Sequence, residues 1–354
     1  MKKKILALSL ILVVLLLIPA CKKKAAGQMN TEAMLAMVPE GPVMLMAFNF
    51  RQFAALDLFD KTVKEDWQKN AKAGKAFKDY QDFVQQTGID LQKDVFAVIG
   101  AMYGSMDSQN PEAVGIINLK YDQAKLLAVF KEKQAFSGEE KYGEQTIYTL
   151  KDEKDPTKEM RLAFLNKSSI AIGSPLPVKK AIDLSLKRGT SVLKTAALMK
   201  YVDKMNKDVM FWMAVGNIPE KMKSAPAGGM MPVDLSKAEA FTAFADFKSK
   251  TFSGELRLIS QNETGNKQIA DMLNGLKSLG AMGASKEPEL GQLLNSIQLS
   301  SAADHVKLTF SFSEELLNKL GAKAKDKAKA MAAPAAPPAE MPAAPAETET
   351  QGEY

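Results

Sequence analysis

The stretch "VMFWMAVGNI", Val209–Ile218, is where the chain echoes itself. Its counterpart is "PVMLMAFNF", Pro42–Phe50, another apolar run bounded by turn residues and too short for an ordinary helix, so both read as buried strands. In the earlier run Met44, Met46, Phe48 and Phe50 fall on one face of a strand.

The elements around the echo also repeat. After a loose linker, "KSAPAGGMMPVD", come the strands "EAFTAFADF" and "TFSGELRLIS" and a helix through Ile269, Met272, Leu273 and Leu276. The strands "LNSIQLSS" and "DHVKLTFSF" and the helix "SEELLNKL" follow. Strand, strand, helix, strand, strand, helix is also the order that the strand Val95–Ile99 opens and Glu112 to Leu186 continues, where "EAVGIINLK" precedes a helix capped by Asp122. There the strands "QTIYTL" and "RLAFLNKSSIAIG" flank a charged loop, and Ser174-Pro175 opens the closing helix. The period is far longer than a solenoid unit. The expected fold class is therefore α+β: two related lobes of mainly antiparallel sheet with packed helices, over 31–222 and 223–320.

Both ends have a different grammar. Lys2, Lys3 and Lys4 precede a 16-residue apolar run, Ile5–Ala20, in the layout of a secretory signal. The run is short for a membrane span, which takes about 20 apolar residues. It ends at the only cysteine of the chain, Cys21, and "Ile18-Pro19-Ala20-Cys21" resembles the lipobox of bacterial lipoproteins. That resemblance implies cleavage between Ala20 and Cys21 and acylation of Cys21, which tethers the chain without a spanning segment. Lys22 after the lipidated residue implies the outer membrane, facing the periplasm, rather than the inner one. Residues 22–30, "KKKAAGQMN", read as a tether reaching at most about 30 Å. Beyond Leu320 the chain turns Lys/Ala-rich and then Ala/Pro-rich, so 321–354 is expected to be a disordered tail.

The stretches "MVPEGPVMLMAFNFRQF", "TGIDLQKDVFAVIG", "YGEQTIYTL" and "LAFLNKSSIAIGSPLPVKKAIDL" leading to "VMFWMAVGNI" resemble, in that order, a bacterial family of exported and lipid-anchored proteins known only as a domain of unknown function. The resemblance implies the fold and supplies no catalytic residue.

Composition narrows the function classes. With 47 basic and 41 acidic residues the chain is at +6, and near +3 without the leader's lysines, too balanced for nucleic-acid binding. A single cysteine leaves no intramolecular disulfide. The one histidine, His305, alternates onto the polar face of its strand beside Lys307 and Thr309, so no general acid–base or zinc chemistry is built on it. "SVLK", Ser191–Lys194, matches the Ser-x-x-Lys of penicillin-interacting enzymes, but their Ser-Asp-Asn and Lys-Thr-Gly partners do not occur. "GAMGASK", Gly280–Lys286, lacks phosphate-loop spacing and reads as a flexible connection. No catalytic residue, metal site or cofactor is expected.

What stands out is methionine: 20 residues against 17 phenylalanines, with close pairs at Met34/Met37, Met44/Met46, Met102/Met106, Met210/Met213 and Met230/Met231. Thioethers can bind Cu(I), yet several pairs sit in runs that must be core, where methionine fills irregular gaps. Two readings stay open. One is a non-enzymatic scaffold or protein-binding role in the envelope, with envelope proteins or the cell wall as partners. The other is a carrier of lipid or another hydrophobic ligand, with Met44, Met46, Met210 and Met213 lining its cavity. No cavity is required by the sequence, which inclines the reading to the scaffold.

Overall fold

The computed structural model describes residues 28–54, 56, 71–106, 108, 111–151, 160–218, 235–284 and 287–332. The leader, Ala20, Cys21 and the Ala/Pro segment fall outside them.

The first half opens with α1 (Thr31–Leu35), capped by the Asn30 side chain, which accepts the Ala33 N–H at 2.7 Å. Then come β1 (Met44–Phe48), α2 (Phe50–Phe53), α3 (Ala71–Thr87), α4 (Leu91–Asp94), β2 (Val95–Tyr103) and β3 (Glu112–Leu119). After α5 (Gln123–Glu132) the chain forms β4 (Phe136–Tyr142), β5 (Gln145–Leu150), β6 (Met160–Asn166) and β7 (Ser169–Gly173). Helices α6 (Pro175–Ser185) and α7 (Ala196–Val202) close the half. The second half comprises β8 (Phe211–Gly216), β9 (Ala238–Lys248), β10 (Thr251–Ser260), α8 (Glu263–Gly283), α9 (Pro288–Ser296), β11 (Gln298–Ala302), β12 (His305–Ser313) and α10 (Glu314–Ala332).

All twelve strands join one antiparallel sheet in the order β11-β12-β10-β9-β8-β1-β2-β3-β7-β6-β5-β4. The two halves meet at β1 and β8, with Met46 directly opposite Met213. Matching Met44–Phe48 to Phe211–Val215 superposes the two runs with the same alternation of buried and half-buried residues. Outward from this seam, β1-β2-β3-β7-β6 mirrors β8-β9-β10-β12-β11, and the β4–β5 hairpin is an addition to the first half. The fold is thus α+β with two related lobes.

Three expectations need correction. The second lobe begins with β8, before residue 223, because β8 pairs with β9, so the expected linker between them, which lies outside the described residues, does not separate the lobes. The tail does not start at 321: α10 runs to Ala332, since a Lys/Ala sequence is a good helix former, with Glu315 and Lys319 paired one turn apart at 2.7 Å. Residues 280–283, read as a connection, are the last turn of α8.

Two cores lie on opposite faces of the sheet. On one face Leu45, Ile99, Ile116, Ala171, Trp212 and Ala214 pack against Leu35 of α1, Ile182 of α6 and Val202 of α7. On the other, Phe48, Phe164, Ile170 and Tyr148 pack beneath α2, α3 and α5 through Phe50, Phe83 and Phe130. Among the described residues this second core covers one end of its face.

Candidate functional site

Where that core stops, its face becomes a groove of about 360 Å³. Strand alternation supplies the lining. Met44 and Met46 of β1, Val98, Gly100 and Met102 of β2, Ala113, Gly115 and Ile117 of β3, Met160 of β6 and Ile172 of β7 all point to it. Cross-strand register makes its floor a row: Met46 faces Gly100, Gly100 faces Gly115, and Gly115 faces Ile172. Val98, Ile117 and Ile172 also pack against the second core, so the inner wall of the groove is the edge of that core.

Among the described residues the lining carries no charged or titratable side chain. Met44, Met46, Met102 and Met160 are each half-buried, so a flexible thioether chain stands on several sides of the space. Tyr103, at the end of β2, alternates onto the opposite face and packs against the first core. Its hydroxyl donates to the Pro39 carbonyl at 3.0 Å, and burial, then the nearby Glu112 carboxylate, push its pKa well above the usual phenol value. Nothing in this arrangement offers a nucleophile, a base or a ligand set. It offers an apolar surface that water solvates poorly and a hydrocarbon would cover.

The structure brings some of the anticipated residues together and separates others. Met44 and Met46 lie in the groove. Met213 stands opposite Met46 across the seam, on the same face, and extends the apolar surface toward Phe241, Ala243, Leu256 and Leu258. Met210 is not part of it: it lies just before β8, 7% exposed in the second core, with its N–H donated to Asp246 at 3.3 Å. Met210 precedes the first residue of β8 and so falls outside the strand's alternation: it turns into the second core, while Met213 stands on the strand opposite Met46, and the 210/213 pair divides where the 44/46 pair, both on β1, does not.

Apart from Met44 and Met46 the lining was not anticipated, Gly100, Met102, Gly115 and Met160 included. Met102 carried a signal, as one of the close pairs. The glycines carried none until β2 and β3 were placed in register. Outside the groove, His305 is paired to Asp304 at 2.6 Å, and Asp304 is held below the usual carboxylate range chiefly by that bond. Ser191 is buried while Lys194 is exposed on a three-residue 3₁₀ turn, so the Ser-x-x-Lys pair does not converge. Among the described residues no helix is long and apolar enough to cross a membrane.

No family model matches the chain, and no curated protein does. Among solved structures, crystal form IV of TP0453 is similar at 11% identity with a TM-score of 0.46, covering 81% of this chain and 95% of that one. Crystal form III of the same protein gives 12% identity and a TM-score of 0.45 over 80% of this chain and 95% of that one. Crystal form I gives 11% identity and a TM-score of 0.45 over 83% and 96%.

Proposed function

We propose that this is a lipid-anchored envelope protein, held through acylated Cys21, that binds a hydrocarbon chain of a lipid in the methionine groove and has no enzymatic step of its own. The supporting observation is the groove itself: about 360 Å³, lined from five strands, and among the described residues by apolar side chains alone. Ligand pockets run from about 300 to 1,000 Å³, so this one suits a single chain with its headgroup outside. The lipobox-like "IPAC" would keep the site beside its lipid source, and Lys22 after the anchor favours the outer membrane, facing the periplasm. Native mass spectrometry of the mature protein purified from membranes, followed by lipid extraction, tests the reading. One co-purifying lipid per chain is expected, and an empty protein that takes up no added lipid would overturn it.

The scaffold reading keeps one observation of its own. Leu276, Leu279 and Met282, at 39%, 65% and 74% exposure, line one face of the far end of α8. If that face docks a protein, a photocrosslinker at position 279 in intact cells gives a discrete adduct, and a bare face gives none.

A further inference from the structure

The groove exists because of two side chains that are missing. Gly100 and Gly115 face each other across β2 and β3 at the middle of its floor. Glycine inside a strand weakens it and often marks a place where a ligand or another backbone comes close. Here the backbone does not require it. Neither residue has a positive φ, and a Cβ on Gly115 would meet Ile172 Cγ2 at 3.5 Å and its carbonyl at 3.8 Å, ordinary contacts. On Gly100 the tightest neighbour is the flexible Met46, Cγ at 3.1 Å.

The second half shows what the same fold does without the glycines. Carrying the seam outward by register, Gly100 corresponds to Ala243 and Gly115 to Leu256, because Met213 faces Ala243 and Ala243 faces Leu256. Ala113 corresponds to Gly254, and there the ring of Phe310 fills the space, lying 2.7 Å or closer to where a Cβ would stand. A leucine and a phenylalanine thus occupy the second lobe's version of the floor, and the first lobe leaves it open.

We infer that Gly100 and Gly115 are the specificity-determining residues of the groove, and that they make its floor a channel for a straight, unbranched acyl chain lying across β1, β2, β3 and β7. The inference rests on the chain-binding reading above. Adjacent strands are about 4.8 Å apart, so the row from β1 to β7 runs about 14 Å. A chain laid along it passes Met46, both glycines and Ile172 in turn, with Met44 and Met102 on one side and Val98 and Ile117 on the other. A methyl branch on such a chain would have to displace the side chains that flank the row.

The test transplants the second lobe's residues into the first, as G100A, G115L and the double variant of the mature chain, with palmitate and methyl-branched phytanate as probes. The wild type is expected to bind palmitate about tenfold or more tightly than phytanate, and G115L to lose palmitate by at least about tenfold. Thermal midpoints should stay level or rise, since the substitutions remove flexible glycines and bury apolar surface. Palmitate affinity in G115L within about twofold of wild type overturns the glycine assignment while the chain-binding reading stands. A falling midpoint in parallel with binding makes the glycines structural and also overturns it. No palmitate binding by the wild type removes both.

Discussion

Asn118 shows how one side chain can hold a chain entry in place. Fully buried, it accepts the Met29 N–H at 2.9 Å and donates to the Ser168 carbonyl at 2.8 Å, pinning the start of the described chain to the hairpin between β6 and β7. Asn118→Ala strands both partners, and chemical denaturation should show a loss of about 1–3 kcal/mol. Trp212, 1% exposed beside Leu45 and Ala214, is a larger stake: Trp212→Ala should cost about 3–5 kcal/mol. Protons act on the same scale. Burial raises Tyr121 from 10.0 to about 12, with its hydroxyl donated to the Asn166 carbonyl. The folded state therefore holds a proton that the unfolded chain releases near pH 10, so this stability is complete below about pH 10 and is lost as pH rises toward about 12. Tyr121→Phe should flatten that alkaline decline in a series of melting curves. Binding of a neutral chain such as a long-chain alcohol should stay level from about pH 5 to 9, because no lining group among the described residues titrates.

Elements were legible where burial imposed a period and obscure where it did not. The β1 and β8 runs, the Asp122 cap and the stop of α3 at Gly88, whose φ is +74°, all stand in the sequence because apolar spacing and local chemistry agree. β4 was invisible: "FSGEEKY" is an edge strand whose five middle residues are all exposed, and exposure on both faces erases the alternation. Phe50 read as the end of β1, but it starts α2, with Asn49 capping the turn by accepting the Gln52 N–H at 3.3 Å. In the groove, Met44 and Met46 were legible from spacing alone, whereas Gly100 and Gly115 acquire meaning only from strand register, which no local pattern encodes. The reach of α10 yields a prediction at this scale. Its Lys323 is paired with Glu289 of α9, so elastase under native conditions should first trim the Ala/Pro segment to a core ending near Ala332. A first stable product ending near Leu320 would contradict the helix.

At the scale of the molecule, the seam between β1 and β8 joins the lobes by continuous backbone pairing, and equivalent residues meet across it at Met46 and Met213. A first half ending near residue 207 would leave β1 as a bare apolar edge. Such a fragment is expected to self-associate through β1 in gel filtration, and a well-behaved monomer would show that the seam is dispensable. The lobes share a plan and differ in filling: Leu256 and Phe310 close in the second what Gly115 and Ala113 leave open in the first. The sharpest measurement of whether that opening is a chain-binding site is photolabelling of the mature protein with a diazirine-bearing palmitate, mapped by peptide mass spectrometry. Adducts concentrated on Met44, Met46, Met102, Met160 and Ile172, and competed by palmitate, are expected. Labels spread over the outer helices, or left unchanged by excess palmitate, would contradict chain binding in the groove.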